Sequence, residues 1–269
     1  MADSIVGCTA LITGAASGIG RALAIELAKR GCDLALCDVD EAGLTATAAA
    51  CDRGQNVSLH PLDVADADAV ATLPDEVRRT HPRFDILVNN AGVALGGTFE
   101  QVTDADMHWL FDINFWGVVR MTRAFLPMLR ASDAARIVNV SSLFGFIAPP
   151  GQTAYAASKF AVRAFSESLR HELADTNVSV STVHPGGVAT SIANNARLPG
   201  SVAEADIAAE RERFARLLRL SPECAASVIA NGLERRRPRI VVGSDAKLMA
   251  LLERIMPTGY WSLLSKLQA

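Results

Sequence analysis

Thr13-Gly14-Ala15-Ala16-Ser17-Gly18-Ile19-Gly20 is the stretch that decides the fold, because it joins a predicted strand to a predicted helix through a turn rich in glycine. The apolar run Cys8–Ile12 before it predicts a buried strand, and residues 18–30 carry apolar side chains at helical spacing. Such a turn points backbone N–H groups and the positive end of a helix at an anion. We therefore predict a phosphate-binding turn.

The spacing of these glycines, G-x3-G-x-G, differs from the common dinucleotide fingerprint, and no G-K-[ST] follows as it would in a nucleotide triphosphatase. A tight structural turn is the alternative interpretation of the glycines alone. Asp38, which ends the next predicted strand about 20 residues further on, favours the dinucleotide, because an acid there accepts hydrogen bonds from the adenosine ribose. It would repel a 2′-phosphate, which predicts NAD rather than NADP. Arg21 would weaken that preference, and a capping role in the turn is the alternative for Asp38.

Short apolar runs alternate with helical patterns along the whole chain, which predicts a parallel sheet covered on both faces. The predicted strands are Cys8–Ile12, Leu34–Cys37, Val57–Leu62, Ile86–Val88, Arg136–Val140, Val178–Val183 and Arg239–Val242. The predicted helices include Gly18–Arg30, Ala42–Cys51, Ala67–Arg79, Trp109–Leu129, Tyr155–Leu173 and one that begins at Ser221-Pro222-Glu223. We predict an α/β fold, a Rossmann-type doubly wound parallel sheet, in a single domain over residues 1–269. Residues 191–220 would form a substrate lid and residues 245–269 a C-terminal tail.

Composition excludes several classes of protein. The chain has 269 residues, half of them hydrophobic, and a net charge of −3, so it lacks the basic excess of a nucleic-acid binder. Its five cysteines lack paired spacing and its five histidines lack ligand spacing, so we expect free thiols and no metal site. No signal peptide or membrane span is evident, and we expect a cytoplasmic protein.

Tyr155 and Lys159 would share one face of a helix, because they are four residues apart. A phenol with an ordinary pKa near 10 is a poor acid or base at neutral pH, and a nearby ammonium would lower that pKa. A solvated pair on the helix surface is the alternative.

Five separated motifs together resemble the short-chain dehydrogenase/reductase family, in the branch of about 250 residues with TGxxxGIG and Tyr-x3-Lys. They are Thr13–Gly20, Asp63-Val64, Asn89-Asn90-Ala91-Gly92, Ser141-Ser142 with Tyr155-x3-Lys159, and Pro185-Gly186-Gly187-Val188-Ala189-Thr190. The motifs cover residues 8 to about 190 in the family's order.

The resemblance implies a catalytic set. Ser142 would hydrogen-bond the substrate oxygen, and Ser141 beside it would be structural. Tyr155 would exchange a proton with that oxygen, while Lys159 lowers the phenol pKa and binds the nicotinamide ribose. Asn114 is similar to the family's helix-bending asparagine, which helps to hold a water in the proton relay.

The resemblance also implies the residues that bind the cofactor. They are Gly14, Ser17, Gly18, Ile19, Gly20, Asp38, Asp63, Val64, Asn90, Ala91, Gly92, Tyr155, Lys159, Pro185, Gly186, Val188 and Thr190. Asp63 would contact adenine, Ser17 and Ile19 would lie near the pyrophosphate, and Val188 and Thr190 would hold the carboxamide.

The expected activity is NAD-dependent interconversion of a secondary alcohol and a ketone. Apolar residues predict that the lid binds a medium or bulky apolar substrate; they are Ile192, Leu198, Val202, Ile207, Phe214, Leu217 and Leu218. The alternatives are an NADP-dependent ketoacyl-type reductase and a non-catalytic dinucleotide-binding sensor. The apolar tail needs a partner surface. Self-association as a homodimer or homotetramer is the first expectation, and contact with a membrane surface is the second.

Overall fold

A seven-stranded, all-parallel sheet with strand order β3-β2-β1-β4-β5-β6-β7 organises the chain. The computed structural model describes residues 4–51, 54–192, 195–199 and 218–268. The strands are β1 (Thr9–Thr13), β2 (Asp33–Asp38), β3 (Val57–Pro61), β4 (Ile86–Asn89), β5 (Ala135–Val140), β6 (Val178–Pro185) and β7 (Arg239–Val242). The predicted Rossmann-type fold is confirmed, and the strand boundaries differ from the predicted ones by two residues at most.

Helices cover both faces of the sheet. They are α1 (Gly18–Lys29), α2 (Glu41–Cys51), α3 (Ala67–Thr80), α4 (Asp104–Phe111), α5 (Gly117–Ala131), α6 (Thr153–Glu172), α7 (Pro222–Glu234), α8 (Ser244–Ile255) and α9 (Tyr260–Gln268). Leu23 and Leu27 of α1 share one buried cluster with residues of α7, while Phe125 of α5 belongs to a second cluster with residues of α3. Burial of these two clusters on opposite faces supplies the main apolar free energy of folding.

The predicted helix Trp109–Leu129 is wrong as one regular element. Helix α4 begins earlier, at Asp104, because the Thr103 side chain caps it through the Asp106 N–H at 3.1 Å. A π-helical turn over Asp112–Trp116 then separates α4 from α5. Single π-helical turns inside α-helices frequently mark functional sites.

The carboxyl ends of the strands carry most of the polar residues that the sequence analysis singled out. The chain runs from β1 outward to β3 and then crosses to β4 on the other side of β1, so the sheet has its switch point between β1 and β4. Open α/β sheets bind ligands in the crevice at such a point. The turns after β1, β2, β4, β5 and β6 therefore define where a site belongs.

The predicted start of α7 is confirmed, since Ser221 caps it through the Cys224 N–H at 3.2 Å and Pro222 occupies its first turn. Several predicted lid residues, Val202, Ile207, Phe214 and Leu217, lie outside the described residues. Among the described residues, no helix combines the length and apolar character that crossing a membrane requires.

The five cysteines are free thiols, and they differ in exposure. Cys8, Cys32, Cys37 and Cys51 are buried, whereas Cys224 on α7 is exposed. Burial raises the thiol pKa of Cys32 to about 12 and that of Cys51 to about 11. A raised pKa leaves little thiolate at neutral pH, so these buried thiols are chemically quiet.

Candidate active site

The turn between β1 and α1 has a backbone shape that only glycine permits. Gly14 and Gly18 have positive φ angles of 68° and 53°. A Cβ at residue 20 would lie 2.0 Å from the carbonyl oxygen of Gly14. The strand, turn and helix therefore approach one another as closely as the backbone allows.

The N-terminus of α1 is open to an anion. Ser17 is the first flanking residue and is exposed, yet its side chain does not cap the helix, and the first turn carries no acid. Helix α3, by contrast, is capped by Asp66, which accepts from two backbone N–H groups. The positive end of α1 is thus left available, which suits a phosphate group.

Asn90 ties the turn after β4 to the glycine turn. Its Nδ2 donates to the carbonyl oxygen of Thr13 at 2.9 Å and to that of Gly14 at 3.2 Å. The Thr13 hydroxyl oxygen accepts the N–H groups of Asn90 and Ala91, both at 3.0 Å. Sequence reasoning assigned no role to the Thr13 side chain, although it holds the two turns of the switch point together.

Asp38 lies at the end of β2 with its carboxylate toward the glycine turn. One oxygen accepts the Ala16 N–H at 2.9 Å and the other accepts the Asp40 N–H at 3.1 Å. The turn-stabilising role is therefore present, and the partly exposed carboxylate retains acceptor capacity for a ribose. Arg21 donates to the Thr47 hydroxyl at 3.0 Å.

Asp63 and Val64 follow β3 on the same edge of the sheet. Asp63 is exposed and accepts the Ala65 N–H at 2.9 Å. Val64 is buried against α5, since a Cβ on Gly117 would lie 2.8 Å from its methyl group.

Tyr155 and Lys159 stand on one face of α6, facing the end of β5. The Lys159 Nζ lies 5.7 Å from the centre of the Tyr155 ring and donates to the Val140 carbonyl at 3.3 Å. Burial lowers the pKa of Lys159 to about 8. Ser141, also buried, donates to the Lys159 carbonyl at 2.8 Å, which fits the structural role expected of it.

The Tyr155 phenol does not have the lowered pKa that the sequence predicted. Desolvation in its pocket raises the pKa of Tyr155, and a hydrogen bond with Ser142 partly opposes that increase. The expectation fails in this form because desolvation of the buried phenol outweighs the hydrogen bond with Ser142 that favours the phenolate. Phe144 packs edge-on against the phenol at 6.1 Å between ring centres, a contact that sequence reasoning missed.

Asn114 lies in the π-helical turn and is fully buried. Its amide pairs with both backbone groups of Val93, at 2.8 Å and 3.0 Å, and donates to the Ser158 hydroxyl at 3.2 Å. Ser158 in turn donates to the Tyr155 carbonyl at 2.8 Å. Asn114 thus connects the π-helical turn to α6.

Gly92 and Thr190 close the crevice from two sides. A Cβ on Gly92 would lie 3.1 Å from the Asn114 side-chain oxygen and 3.3 Å from the Lys159 Nζ. A Cβ on Gly18 would lie 3.1 Å from the Thr190 methyl group, so the turn after β6 returns to the glycine turn. The turns after β1, β2, β4 and β6 therefore lie close together and bring their predicted residues to one crevice.

The turn after β6 is fixed by the tail. The Asp245 carboxylate accepts the Gly187 N–H at 2.6 Å, and a Cβ on Gly186 would lie 2.2 Å from it. Pro185 is buried at the end of β6, and Val188 pairs as a single bridge with Leu220.

The described part of the predicted lid packs on the entrance of the crevice. Arg197 lies 3.7 Å above the Trp109 ring and forms an ion pair with Asp106 at 3.0 Å. Leu198 packs so closely on Gly96 that a Cβ there would lie 2.8 Å from it. The apolar contact of Leu198 with Gly96 thus lies beside a charged pair, Arg197 and Asp106.

The tail packs beside α6 and the segment that precedes it. The Tyr260 hydroxyl accepts the Ala148 N–H at 3.0 Å, and Trp261 lines a groove of about 540 Å³ with residues of the segment before α6 and of α6 itself. Other apolar residues of α8 and α9 remain exposed, among them Leu248, Leu251, Ile255 and Leu263.

The crevice fits a dinucleotide. The positive φ angles of Gly14 and Gly18 and the tight packing at Gly20 fix the backbone of the turn, and the uncapped end of α1 lies beside it. Gly92 lets the backbone of the turn after β4 come close to the Asn114 and Lys159 side chains. A pyrophosphate at the first place and a nicotinamide ribose at the second match the donors that these positions offer.

Comparisons with known proteins agree with this geometry. The family model described as short chain dehydrogenase matches residues 8–199. The putative oxidoreductase SadH of Mycobacterium tuberculosis is 45% identical over 267 residues, which cover 98% of this chain and 96% of that protein. A short-chain dehydrogenase/reductase of Burkholderia phymatum in complex with NAD has a TM-score of 0.86 at 30% identity, covering 94% of this chain and 95% of that one. A short chain dehydrogenase of Mycobacterium paratuberculosis bound to NAD has a TM-score of 0.77 at 26% identity, covering 89% and 97%.

Proposed function

The chain belongs to the short-chain dehydrogenase family, and we propose that it interconverts a secondary alcohol and a ketone with NAD, using Tyr155 as the acid and base. Family membership makes it an oxidoreductase acting on CH–OH groups with a nicotinamide dinucleotide. The observation that carries the finer proposal is the grouping of Ser142, Tyr155, Lys159 and Asn114 beside Gly92, at the carboxyl end of the sheet.

In this proposal Tyr155 moves the proton. During oxidation its phenolate oxygen accepts the proton of the substrate hydroxyl, and during reduction the phenol returns it. The Ser142 hydroxyl donates to the substrate oxygen and orients the carbinol. The bound nicotinamide supplies the hydride chemistry, and the residues of this chain supply orientation and proton transfer.

Lys159 acts on the phenol through its charge. With a pKa of about 8, its ammonium is mostly protonated at neutral pH. An ammonium stabilises a neighbouring phenolate and so opposes the desolvation that raises the Tyr155 pKa. Asn114 holds α6 against the π-helical turn, which supports its proposed place in a proton relay.

We propose NAD as the preferred cofactor because the Asp38 carboxylate faces the end of the crevice where the adenosine ribose would lie. Arg21, which would favour a 2′-phosphate, is engaged with Thr47. Two relatives of known structure are bound to NAD, which supports the same choice. An NADP-dependent ketoacyl-type reductase is the alternative.

The substrate would be medium-sized or bulky and apolar. Support comes from the apolar contact of Leu198 with Gly96 and from the tail residue Trp261, which lines a groove with residues of α6. A non-catalytic dinucleotide sensor is the second candidate, but such a protein would not need a buried lysine beside a phenol.

Members of the family generally act on small molecules and form oligomers. We propose that this chain forms a homodimer or homotetramer in the cytoplasm. The exposed apolar residues of α8 and α9 support self-association, with contact to a membrane surface as the alternative.

The decisive experiment measures NADH formation by absorbance with a panel of secondary alcohols, for the wild type and for Tyr155→Phe. Loss of the acid and base should lower kcat about a hundredfold to ten-thousandfold. NADH binding, measured by fluorescence titration, should remain within about twofold, because no glycine contact changes. Unchanged turnover in Tyr155→Phe would remove Tyr155 from its proposed role. NADH binding without turnover of any alcohol would favour the sensor.

A further inference from the structure

The position of the Ser142 hydroxyl depends on the short turn that follows it. Its Oγ accepts the Phe144 N–H at 3.1 Å, and its carbonyl oxygen accepts the Gly145 N–H at 2.9 Å. The hydroxyl therefore moves together with the 3₁₀ turn Leu143–Gly145. Any group that holds the Ser142 carbonyl also aims the hydroxyl.

His184, on the neighbouring strand β6, is such a group. Its Nδ1 lies 2.9 Å from the Ser142 carbonyl oxygen. A carbonyl oxygen only accepts, so Nδ1 must carry the ring proton. The imidazole is fully buried, and burial, together with the charges of Arg239 and Arg163, lowers its pKa to about 4 against the opposing effects of the Ser142 hydrogen bond and Glu167. It is neutral at neutral pH and exchanges no proton during turnover.

The surroundings prevent the imidazole from turning. The Phe146 ring stacks on the imidazole, with ring centres 4.0 Å apart. The Arg163 guanidinium lies over the Phe146 ring, 5.1 Å from its centre. Arg163 also donates to the Gly145 carbonyl at 3.0 Å. A Cβ on Gly145 would lie 3.4 Å from the His184 Nδ1, so the serine turn is packed directly against the ring.

The two ring nitrogens have different surroundings. Nδ1 faces the Ser142 carbonyl, whereas Nε2 is buried and has no hydrogen-bond partner among the residues that the structure describes. A side chain with a donor at the Nδ1 position would therefore preserve the contact, and one with a donor only at the Nε2 position would not.

We infer that His184 is a positioning residue, whose Nδ1–H holds the Ser142 carbonyl and thereby aims the Ser142 hydroxyl at the substrate oxygen. The inference rests on the proposed role of Ser142. His184 itself touches neither substrate nor cofactor, and it acts through the serine turn.

The first test does not depend on activity. Long-range ¹⁵N–¹H spectra of the wild-type protein, with the His184 signal assigned by its loss in His184→Gln, report which nitrogen carries the proton. We expect the Nδ1–H tautomer, unchanged between pH 6 and pH 8. The Nε2–H tautomer would overturn the inference, whether or not an alcohol is turned over.

The second test compares two amides of different length. The amide of Asn occupies roughly the place of Nδ1, whereas that of Gln occupies roughly the place of Nε2. We expect His184→Asn to keep kcat within about threefold of wild type and His184→Gln to lower it about tenfold to a hundredfold, because small misplacements of a reacting geometry have effects of that size. Activities are expressed per NADH-binding protein, so that loss of folded enzyme does not count.

The third test makes His184→Asn and His184→Gln in a Ser142→Ala background. It separates an effect on the Ser142 hydroxyl from a general effect on the stability of the protein. We expect His184→Gln to lower the residual kcat by less than about twofold there, because residues that act as a unit are not additive. Equal kcat values for the Asn and Gln variants, or a full additional loss in the Ser142→Ala background, would overturn the inference. If wild type turns over no alcohol, the proposed function fails, and the tautomer measurement alone decides the hydrogen bond.

Discussion

The two ends of the crevice are built in different ways. At the glycine turn, the backbone defines the shape, and a Cβ added at Gly20 would lie 2.0 Å from the Gly14 carbonyl oxygen, well inside van der Waals contact. At the catalytic end, buried side chains with shifted pKa values define the chemistry, with Lys159 lowered and Tyr155 raised. Substitutions at the first end should therefore act through shape and cost stability. Those at the second end should act through charge and cost activity.

Gly20→Ala should have the largest effect on stability and so tests the shape half of this comparison. The new Cβ would lie 2.0 Å from the Gly14 carbonyl oxygen, and backbone atoms cannot move aside cheaply. We expect a loss of at least about 3 kcal/mol in the free energy of unfolding, measured by urea denaturation, together with loss of NADH binding.

Gly259→Ala is the matched control, since its Cβ would meet only the flexible end of Met256 at 3.2 Å. It should stay within about 0.5 kcal/mol of wild type. Normal NADH binding by Gly20→Ala would contradict the shape argument.

Lys159→Met should do the opposite, losing turnover while gaining stability. The folded-state pKa is lowered from 10.5 to about 8, so the unfolded chain binds a proton that the folded one has released between these values. Wild-type stability should therefore rise with pH through this window, by up to about 3 kcal/mol. Below pH 8 the cost of the buried charge is fully present, and the variant should be more stable by a similar amount.

Urea denaturation of wild type and Lys159→Met at pH 7 and pH 10 would test this, because the difference between the two should close as the pH rises. Lys29→Met, at an exposed position, is the control and should show no such gain. A variant less stable than wild type at pH 7 would place Lys159 with the shape-determining residues instead.

Asp38→Asn should change cofactor choice with a smaller effect. Removing the charge should improve NADPH affinity relative to NADH about tenfold, because a like-charge contact with a 2′-phosphate disappears. Fluorescence titration with both dinucleotides measures the ratio.

Asp40→Asn is the control for Asp38→Asn. Its side chain accepts the Gly43 N–H at 2.9 Å, a role that Asn can also perform, so the ratio should not change. NADPH bound more tightly than NADH by the wild type would show that Asp38 has been misinterpreted.

Tyr260→Phe should have the smallest effect on stability and activity. It tests whether the tail contributes to the catalytic end of the crevice. Loss of the hydrogen bond to Ala148 should cost about 1 kcal/mol, seen as a small decrease in Tm. Because this bond holds the tail against the segment before α6, KM for bulky alcohols should rise while kcat stays the same. A change in kcat alone would contradict a role limited to the entrance.

Much of the glycine end was predictable, because backbone shape requires particular residue types in a short stretch. Gly14, Gly18 and Gly20 could be identified from their spacing, and Asp38 from its place after β2. The parallel sheet covered on both faces followed from the alternation of strands and helices, whereas the strand order was not predicted.

Less of the catalytic end was predictable, because its geometry depends on contacts between distant residues. The π-helical turn relies on Asn114 bonding to Val93, and the entrance relies on Tyr260 meeting Ala148, 112 positions away. The predicted direction of the Tyr155 pKa shift was wrong, because the spacing shows that a lysine is near but does not show how strongly the phenol is desolvated.

The distribution of thiols offers a practical handle. The buried cysteines should react slowly with maleimides because burial limits access and raises the thiol pKa, whereas Cys224 on the surface of α7 is open to reagent. A fluorophore could therefore be attached at this one position of the native sequence without first replacing the other four cysteines. Since α7 packs on α1, the helix that follows the glycine turn, such a reporter would allow dinucleotide binding to be followed optically.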